Sequence, residues 1–350
     1  MGKNVTTAPS SAGWIGMDIS KDFFDVALWG DQEGPAMANG RFPRSKSGAA
    51  EVVAWIQMQG REVAGIVMEW TGSYSRELAE WLMALRPDWA VALINPSLVK
   101  AFGASYGLRN KTDQVDARLL ARYGAERTPA AWRPPEPDRD RIQSIYRTRL
   151  KLTLMVTALR NRDEDCLHAD SVARSAHRKV LATMESQIKA LEKAAAAIIK
   201  ANPAWQKDRN LLMSVPGIGP ITSLATLAEA GDLRRFRRGR QLTAFAGASP
   251  KRKQSGTSVN GKTRMCRIGG KFLRPALYMA AVAVTRTESP LSNFYRHLID
   301  QGKPPRAAIG ALMRKLLLIM RSVLIHDRMY EPHPVQRNLK DKSAPVARPA

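Results

Sequence analysis

The chain is 350 residues long, 44% hydrophobic, and carries a formal net charge of +24. That length allows two or three domains, and the apolar share is ample for buried cores, which excludes a mere basic tail. The charge calls for nucleic acid or another anionic surface as partner. Cys166 and Cys266 stand far apart and in no metal-ligand spacing, which excludes a structural zinc and fits a reducing compartment.

Met1–Ala12 is polar and rich in Ser and Thr, without the apolar core of a signal peptide. The longest apolar runs, around Ala276–Val284 and Leu316–Met320, are too short to cross a bilayer. The expectation is a cytoplasmic protein with no membrane partner.

Trp14–Asp18 reads as a strand, Lys21-Asp22 as a turn and Phe23–Trp29 as a second strand, a hairpin pattern. Gly48–Gln59 has the pattern of an amphipathic helix. Val63–Glu69 is a short apolar run ending in an acid, which fits a buried strand with its carboxylate at the C-terminal end. Ser73–Leu85 is helical, and Trp89–Ile94 is another buried strand, closed by Asn95-Pro96. Strands alternating with helices imply an α/β layer.

Thr128–Pro137 holds four prolines and reads as a linker. From Arg139 to about Ala201 the pattern is helical and heavily charged. Leu181, Met184, Ile188, Leu191, Ala195 and Ile198 form a heptad seam, and Ile142, Ile145, Leu152, Val156 and Leu159 follow a similar beat. Two amphipathic helices packed on each other explain this, and so does a coiled-coil arm that dimerises the protein. Val215-Pro216-Gly217-Ile218-Gly219-Pro220 lies between two apolar helical stretches and reads as a helix-hairpin-helix. There Gly217 and Gly219 would let backbone N–H groups approach a phosphate; a tight turn between helices is the plainer alternative. Phe272–Thr285 and Ala307–Leu324 read as helices. The expected organisation is a flexible N-terminus over 1–13, an α/β domain over 14–128, linker and coiled coil over 129–205, a mainly helical domain over 206–330, and a disordered tail over 331–350.

Four acids stand out by position. Asp18 lies on the first strand and Glu69 ends a buried one. Asp113 and Asp116 begin a helix after Thr112, a natural N-cap, and their spacing puts both on one helical face. Close carboxylates repel unless a cation neutralises them, and hard oxygen ligands suit Mg²⁺; two such ions about 3.5–4 Å apart clamp phosphodiester chemistry. Taken alone, acids in a first helical turn do no more than complement the helix dipole.

Leu233–Thr287 contains no acid and fourteen Lys and Arg residues. At its centre Gln254–Ser258 is flanked by Lys251, Arg252 and Lys253 on one side and by Lys262, Arg264 and Arg267 on the other, with Lys271 beyond. Arg109 and Lys111 supply further cations ahead of the Asp pair. Ser255 is the candidate nucleophile. No histidine stands near it in sequence, so activation has to come from outside the segment; otherwise Ser255 and Ser258 only hydrogen-bond phosphates. Gly256–Thr263 also matches the P-loop pattern. It lacks the buried strand before it, and no later apolar strand ends in a metal-holding acid, so ATP binding is rejected.

Met-Asp18, Met-Glu69-Trp-Thr-Gly-Ser-Tyr, Asn95-Pro96, Gly107–Arg118, Val215–Gly219, Ala246-Gly247 and Gln254-Ser255-Gly256 occur in that order. In this the chain resembles the DEDD-type insertion-sequence transposases related to the Piv/MooV invertases, a group also known as bridge-RNA-guided recombinases. The likeness spans roughly residues 14–330. It departs from the common pattern in Trp70, where a small residue is usual, and in an extra first dozen residues.

The resemblance implies a RuvC-like domain of the RNase H fold at 14–128, with Asp18, Glu69, Asp113 and Asp116 as the Mg²⁺-binding tetrad. It implies a coiled coil and a C-terminal transposase domain carrying Ser255 as catalytic serine. It further implies a structured non-coding bridge RNA that pairs with donor and target double-stranded DNA, and assembly into dimers and tetramers in which the tetrad of one subunit meets the serine of another. The reaction expected is strand cleavage, exchange and religation through a phosphoserine link. A RuvC-like junction nuclease that uses metal-bound water, and a non-catalytic nucleic-acid scaffold, are the alternatives.

Overall fold

β1 (Gly13–Ile19) and β2 (Phe23–Trp29) form the hairpin that the sequence predicts, pairing antiparallel from Trp14 opposite Trp29 to Ile19 opposite Phe24. This computed structural model describes residues 12–29, 38–107, 113–161, 170–255, 259–266 and 268–332. The chain divides into two compact units, Met1–Pro134 and Pro135–Ala350.

In the first unit a strand absent from the sequence reading, β3 (Ala38–Pro43), pairs antiparallel with β2. Ser45 then caps α1 (Lys46–Met58), its hydroxyl oxygen accepting from the Gly48 N–H at 3.0 Å. β4 (Val63–Glu69) and β5 (Val91–Ile94) flank α2 (Ser73–Leu85); β4 pairs parallel with β1 and β5 parallel with β4, giving the order β3-β2-β1-β4-β5. The sheet is therefore mixed. Alternate residues of β1 and β2, among them Ile15, Met17, Phe24 and Val26, face one core with Ile66, Met68, Leu78 and Leu82. Val67, Ala92 and Ile94 face the other, against Val99 and Phe102 of α3 (Pro96–Ser105) and Leu119 and Leu120 of α4 (Asp113–Arg127). Helices on both faces of a sheet are the α/β layering that the alternation implies. The proline-rich stretch after α4 is partly fastened to this unit: the Trp132 N–H donates to the Val91 carbonyl at 2.7 Å, and its ring packs on the first core.

In the second unit, α5 (Pro137–Arg160) and α6 (Ser171–Ala201) pack on each other. Arg149 pairs with Glu192 and Arg160 with Glu185, so the two helices run antiparallel. Ile142, Tyr146 and Val156 of α5 and Ala195 and Ile199 of α6 are buried; most of the remaining seam is half-buried.

The rest is mainly helical. α7 (Pro203–Met213) and α8 (Pro220–Ala225) flank the Val215–Gly219 turn, and α8 runs on into a π-helical turn, Thr226–Ala230. A 3₁₀ turn (Leu233–Arg235), α9 (Gly239–Phe245), α10 (Leu273–Thr285), α11 (Pro290–Asp300) and α12 (Pro305–Ile325) follow. Leu212, Leu242, Leu277, Leu312 and Leu316 belong to their shared core. The basic stretch, for which no element was expected, contains an antiparallel pair, β6 (Pro250–Ser255) and β7 (Val259–Met265). Among the described residues twelve α-helices stand beside seven strands, so this part of the chain is mostly helical. Among the described residues no helix is long and apolar enough to cross a membrane. The expected flexible N-terminus and disordered tail, apart from residues 12–13 and 331–332, lie outside the described residues.

Candidate functional site

Residues directly opposite each other on neighbouring strands share a face of the sheet. Asp18 of β1 stands opposite Asp25 of β2, and Asp25 stands opposite Arg41 of β3. On the other side, β1 and β4 run parallel with Gly16 beside Val67 and Met17 beside Met68, so one step further along Asp18 stands beside Glu69. Arg41, Asp25, Asp18 and Glu69 thus form one row across four strands. Neighbouring strands lie about 4.8 Å apart, which makes the three acids immediate neighbours.

The row lies on the face that α4 covers. Gly16 is the reason α4 comes so close: a Cβ there would stand 2.0 Å from the Ala117 carbonyl oxygen and 2.3 Å from the Ala121 nitrogen. Gly124 does the same over Trp14, where a Cβ would meet the ring at 2.4 Å. Since Ala117–Ala121 lies over Gly16 and Gly124 over Trp14, α4 runs antiparallel to β1. Its N-terminal end, with Asp113 and Asp116, therefore points along the chain direction in which β1 reaches Asp18. From the helix residues above Gly16 to Asp116 is about one turn, roughly 5 Å of axial rise, and from Gly16 to Asp18 is about 6.6 Å of strand. Asp116 and Asp18 consequently reach the same level. The side chain of Asp113 lies outside the described residues, as do Thr112, Arg109 and Lys111.

Carboxylate oxygens at the adjoining ends of two parallel strands and a covering helix are hard donors of the kind a divalent cation takes. Asp18, Glu69 and Asp116 fit such an ion by donor type and by level. Among the described residues alone, no group of three or more acid, His or Cys side chains is already gathered tightly enough to hold one. Asp25 and Arg41 are residues that the sequence reading missed. Asp25 is 2% exposed, and Arg41 donates Nε to its Oδ1 at 3.0 Å and a terminal nitrogen to its Oδ2 at 2.9 Å. The signal was present in the hairpin: a short turn after Ile19 sets Asp25 across from Asp18 by register alone.

In the second unit Ser255 is the last residue of β6 and stands opposite Val259, at the tip of the hairpin. Lys251 stands opposite Arg264, and the register shifts between Lys251 and Lys253. Like charges directly opposite destabilise a strand pair, and an isolated two-stranded ribbon is marginal, so this hairpin calls for an anion along it. The side chains of Arg252, Lys253, Ser255, Lys262 and Arg264, and the whole of Arg267, lie outside the described residues. Gly261-Lys262 continues into strand β7, not into a helix, which removes the structural context of a P-loop. Lys271 is exposed beside the Phe272 ring, 4.9 Å from its centroid.

The two hairpin glycines differ. Gly217 has φ of +81°, and a Cβ there would meet Val284 at 2.4 Å and the Ala280 carbonyl oxygen at 2.7 Å, so this glycine serves packing against α10. Gly219 has φ of −95°, with nothing within 4 Å of a Cβ, and precedes α8 on an open side. Of the pair, Gly219 is the one whose surroundings leave room for a phosphate.

Residues 15–169 match the DEDD transposase model of the IS110 type, and residues 209–296 match the transposase model of the IS116/IS110/IS902 family. The pilin gene-inverting protein of Moraxella bovis is 30% identical over 325 residues, covering 92% of this chain and 98% of that protein. The chain belongs to this transposase family. The pilin gene-inverting protein of Moraxella lacunata is likewise 30% identical over 325 residues. The transposase of insertion sequence element IS1111A of Coxiella burnetii is 26% identical over 90% of both chains. The chain is therefore a DNA-acting enzyme, a transposase or recombinase. Its mixed sheet and predominance of helices are consistent with an RNase H-like transposase, and a DEDD domain implies use of a divalent metal.

Proposed function

We propose that this transposase cuts and rejoins DNA through Ser255, with Asp18, Glu69, Asp113 and Asp116 as the ligands of Mg²⁺. The observation that carries this reading is the parallel register that sets Asp18 beside Glu69 on the face under α4. Bound there, Mg²⁺ would withdraw charge from a scissile phosphate and favour its displacement.

The chain's own residues do the remainder. Ser255 Oγ attacks phosphorus, its proton passing to solvent. A phosphoserine bond forms as the bond to one deoxyribose oxygen breaks, and that oxygen takes up a proton. A deoxyribose hydroxyl of another strand then attacks the phosphoserine, re-forms a phosphodiester and frees the serine. No ATP is consumed, because each broken ester is replaced by another. The cations of β6 and β7 hold the backbone phosphates and offset developing charge. The likeness to a protein named for gene inversion supports a reading in which strands are rejoined and not only cut.

Phosphate contacts position DNA without choosing a sequence. We assign that choice to a structured non-coding RNA pairing with donor and target, on the motif resemblance, with dimers and tetramers as the working assemblies. The test is to incubate the protein, the RNA flanking its gene, Mg²⁺ and labelled DNA, and to look for a protein–DNA adduct that survives denaturation. The expected adduct disappears in Ser255→Ala and without RNA. Cleaved DNA with no adduct would make the enzyme a hydrolytic nuclease; tight binding with neither product would make it a scaffold.

A further inference from the structure

Asp18 has an acidic neighbour on either side and on one face: Asp25 directly opposite on β2, and Glu69 on β4, one step past the last pair, Met17 beside Met68. Opposed side chains on adjacent strands have Cβ atoms about 4.5–5.5 Å apart, a span across which two carboxylates can share a cation. Strand pairing alone thus offers a divalent ion two places, between Asp18 and Glu69 or between Asp18 and Asp25.

The acids differ in what holds them. The Asp25 side chain is only 3% exposed, and both its oxygens accept from the planar fork of Arg41. Arg41 is itself braced over the Phe23 ring at 4.0 Å from the centroid, while about half its side chain remains in solvent. A bidentate guanidinium occupies carboxylate lone pairs that a metal would need.

We propose that Arg41 locks Asp25 out of the metal-binding set and so confines the divalent ion to the Glu69 side of Asp18. This rests on the reading of Asp18 and Glu69 as metal ligands. Without Arg41, Asp25 is a buried, uncompensated carboxylate next to another acid, and capture of a cation between the two relieves both. An ion seated there lies about one strand spacing, roughly 4.8 Å, from its working position. Displacements of about 1 Å already cost on the order of a hundredfold in rate. Arg41 is a positioning residue, acting through Asp25.

The test measures Mn²⁺ binding to the full chain by calorimetry in wild type, Asp18→Asn, Asp25→Asn, Arg41→Gln and the Arg41→Gln/Asp25→Asn double variant. Arg41→Gln is expected to bind Mn²⁺ about tenfold more tightly, because the released Asp25 carboxylate opens a second, more buried place for the ion beside Asp18. The double variant is expected to return to wild-type affinity, and Asp25→Asn alone to stay within about twofold of it, since Asp25 is no ligand while Arg41 holds it. An Arg41→Gln chain that folds and binds Mn²⁺ as wild type overturns the proposal, as does an Asp25→Asn chain as weak as Asp18→Asn. If Arg41→Gln does not fold, Arg41→Lys keeps the charge without the fork; tighter Mn²⁺ binding supports the lock and unchanged binding overturns it. Asp18→Asn with undiminished affinity is a separate outcome, which removes the metal-site reading itself.

Discussion

Gly16 of β1 and Ala117 of α4 approach so closely that a Cβ at Gly16 would stand 2.0 Å from the Ala117 carbonyl oxygen. The obstacle is helix backbone, which cannot swing aside as a side chain can. Gly16→Ala is therefore expected to push α4 off the sheet and lift Asp113 and Asp116 away from Asp18. Overpacking of this kind costs about 1–3 kcal/mol, so the first unit should remain folded at a lower melting temperature. DNA cleavage should fall far more than that loss of stability explains. Calorimetric unfolding and cleavage assays on the same preparation check it; a variant of normal activity and stability refutes the close contact.

Gly217 and Gly219 separate a folding role from a ligand role within five residues of loop. Gly217→Ala faces both the positive φ and the α10 backbone, so it should destabilise the second unit by more than 1 kcal/mol, on the order of a strained glycine site. Gly219→Ala meets neither obstacle. It should keep wild-type stability and yet weaken DNA binding, because the added methyl stands where a phosphate would approach backbone N–H groups. Chemical denaturation and DNA-binding titrations at fixed salt distinguish the two, and a Gly219→Ala chain of unchanged affinity removes the phosphate role.

What was legible in the sequence is what local pattern determines. Alternation in Trp14–Ile19 and Phe23–Trp29 and the apolar run of Val63–Met68 set those strands within a residue or two, and with them Asp18 and Glu69 at strand ends. β3 was not legible, because Ala-Asn-Gly-Arg-Phe-Pro has neither alternation nor strand propensity and is extended by pairing with β2. β6 and β7 were hidden for the same reason: Pro-Lys-Arg-Lys-Gln-Ser reads as a charged loop. Asp25 escaped notice in mid-strand, since its nearness to Asp18 exists only in the hairpin register. The level of Asp116 depends on a tertiary contact between Gly16 and α4, which no local pattern records.

Asp208 and Arg234 form a largely buried ion pair in the second unit. Arg234 donates to both Asp208 oxygens, at 2.9 and 2.7 Å, and its Nε donates to the Leu324 carbonyl at 2.9 Å, tying the 3₁₀ turn to α7 and α12. The Asp208 hydrogen bonds, ahead of its charge, push the Arg234 pKa above its ordinary value. Removing one partner of a fully buried pair costs about 3–5 kcal/mol; here Arg234 is part-exposed and keeps a second, more exposed carboxylate, Asp232, at 3.1 Å. With Arg234 about one-third exposed, Asp208→Ala is expected to cost about 2–3 kcal/mol, allowing for that screening. Urea unfolding monitored by circular dichroism tests this; a loss below about 0.5 kcal/mol, the level of a surface pair, refutes the clamp.

Tyr146 gives the second unit an alkaline limit. It is 1% exposed and its hydroxyl donates to the Phe272 carbonyl at 2.8 Å. Burial, with the Glu229 charge adding to it, pushes its pKa up to about 12 from 10.0. Below pH 10 the phenol is protonated in both folded and unfolded chains, and its contribution is whole. Above pH 10 the unfolded chain ionises while the native one does not, so stability drains away until the pH passes about 12. A difference of that size amounts to about 2–3 kcal/mol. Tyr146→Phe should be less stable than wild type at pH 9, by about 1 kcal/mol for the lost hydrogen bond. Because Phe has no proton to lose, that deficit should close and then reverse as pH rises through 10 to 12. Lysines also titrate in this range, but equally in both proteins, so the difference between their unfolding free energies isolates Tyr146. A difference that stays constant across the range would show that the phenol ionises as readily in the native chain as in the unfolded one.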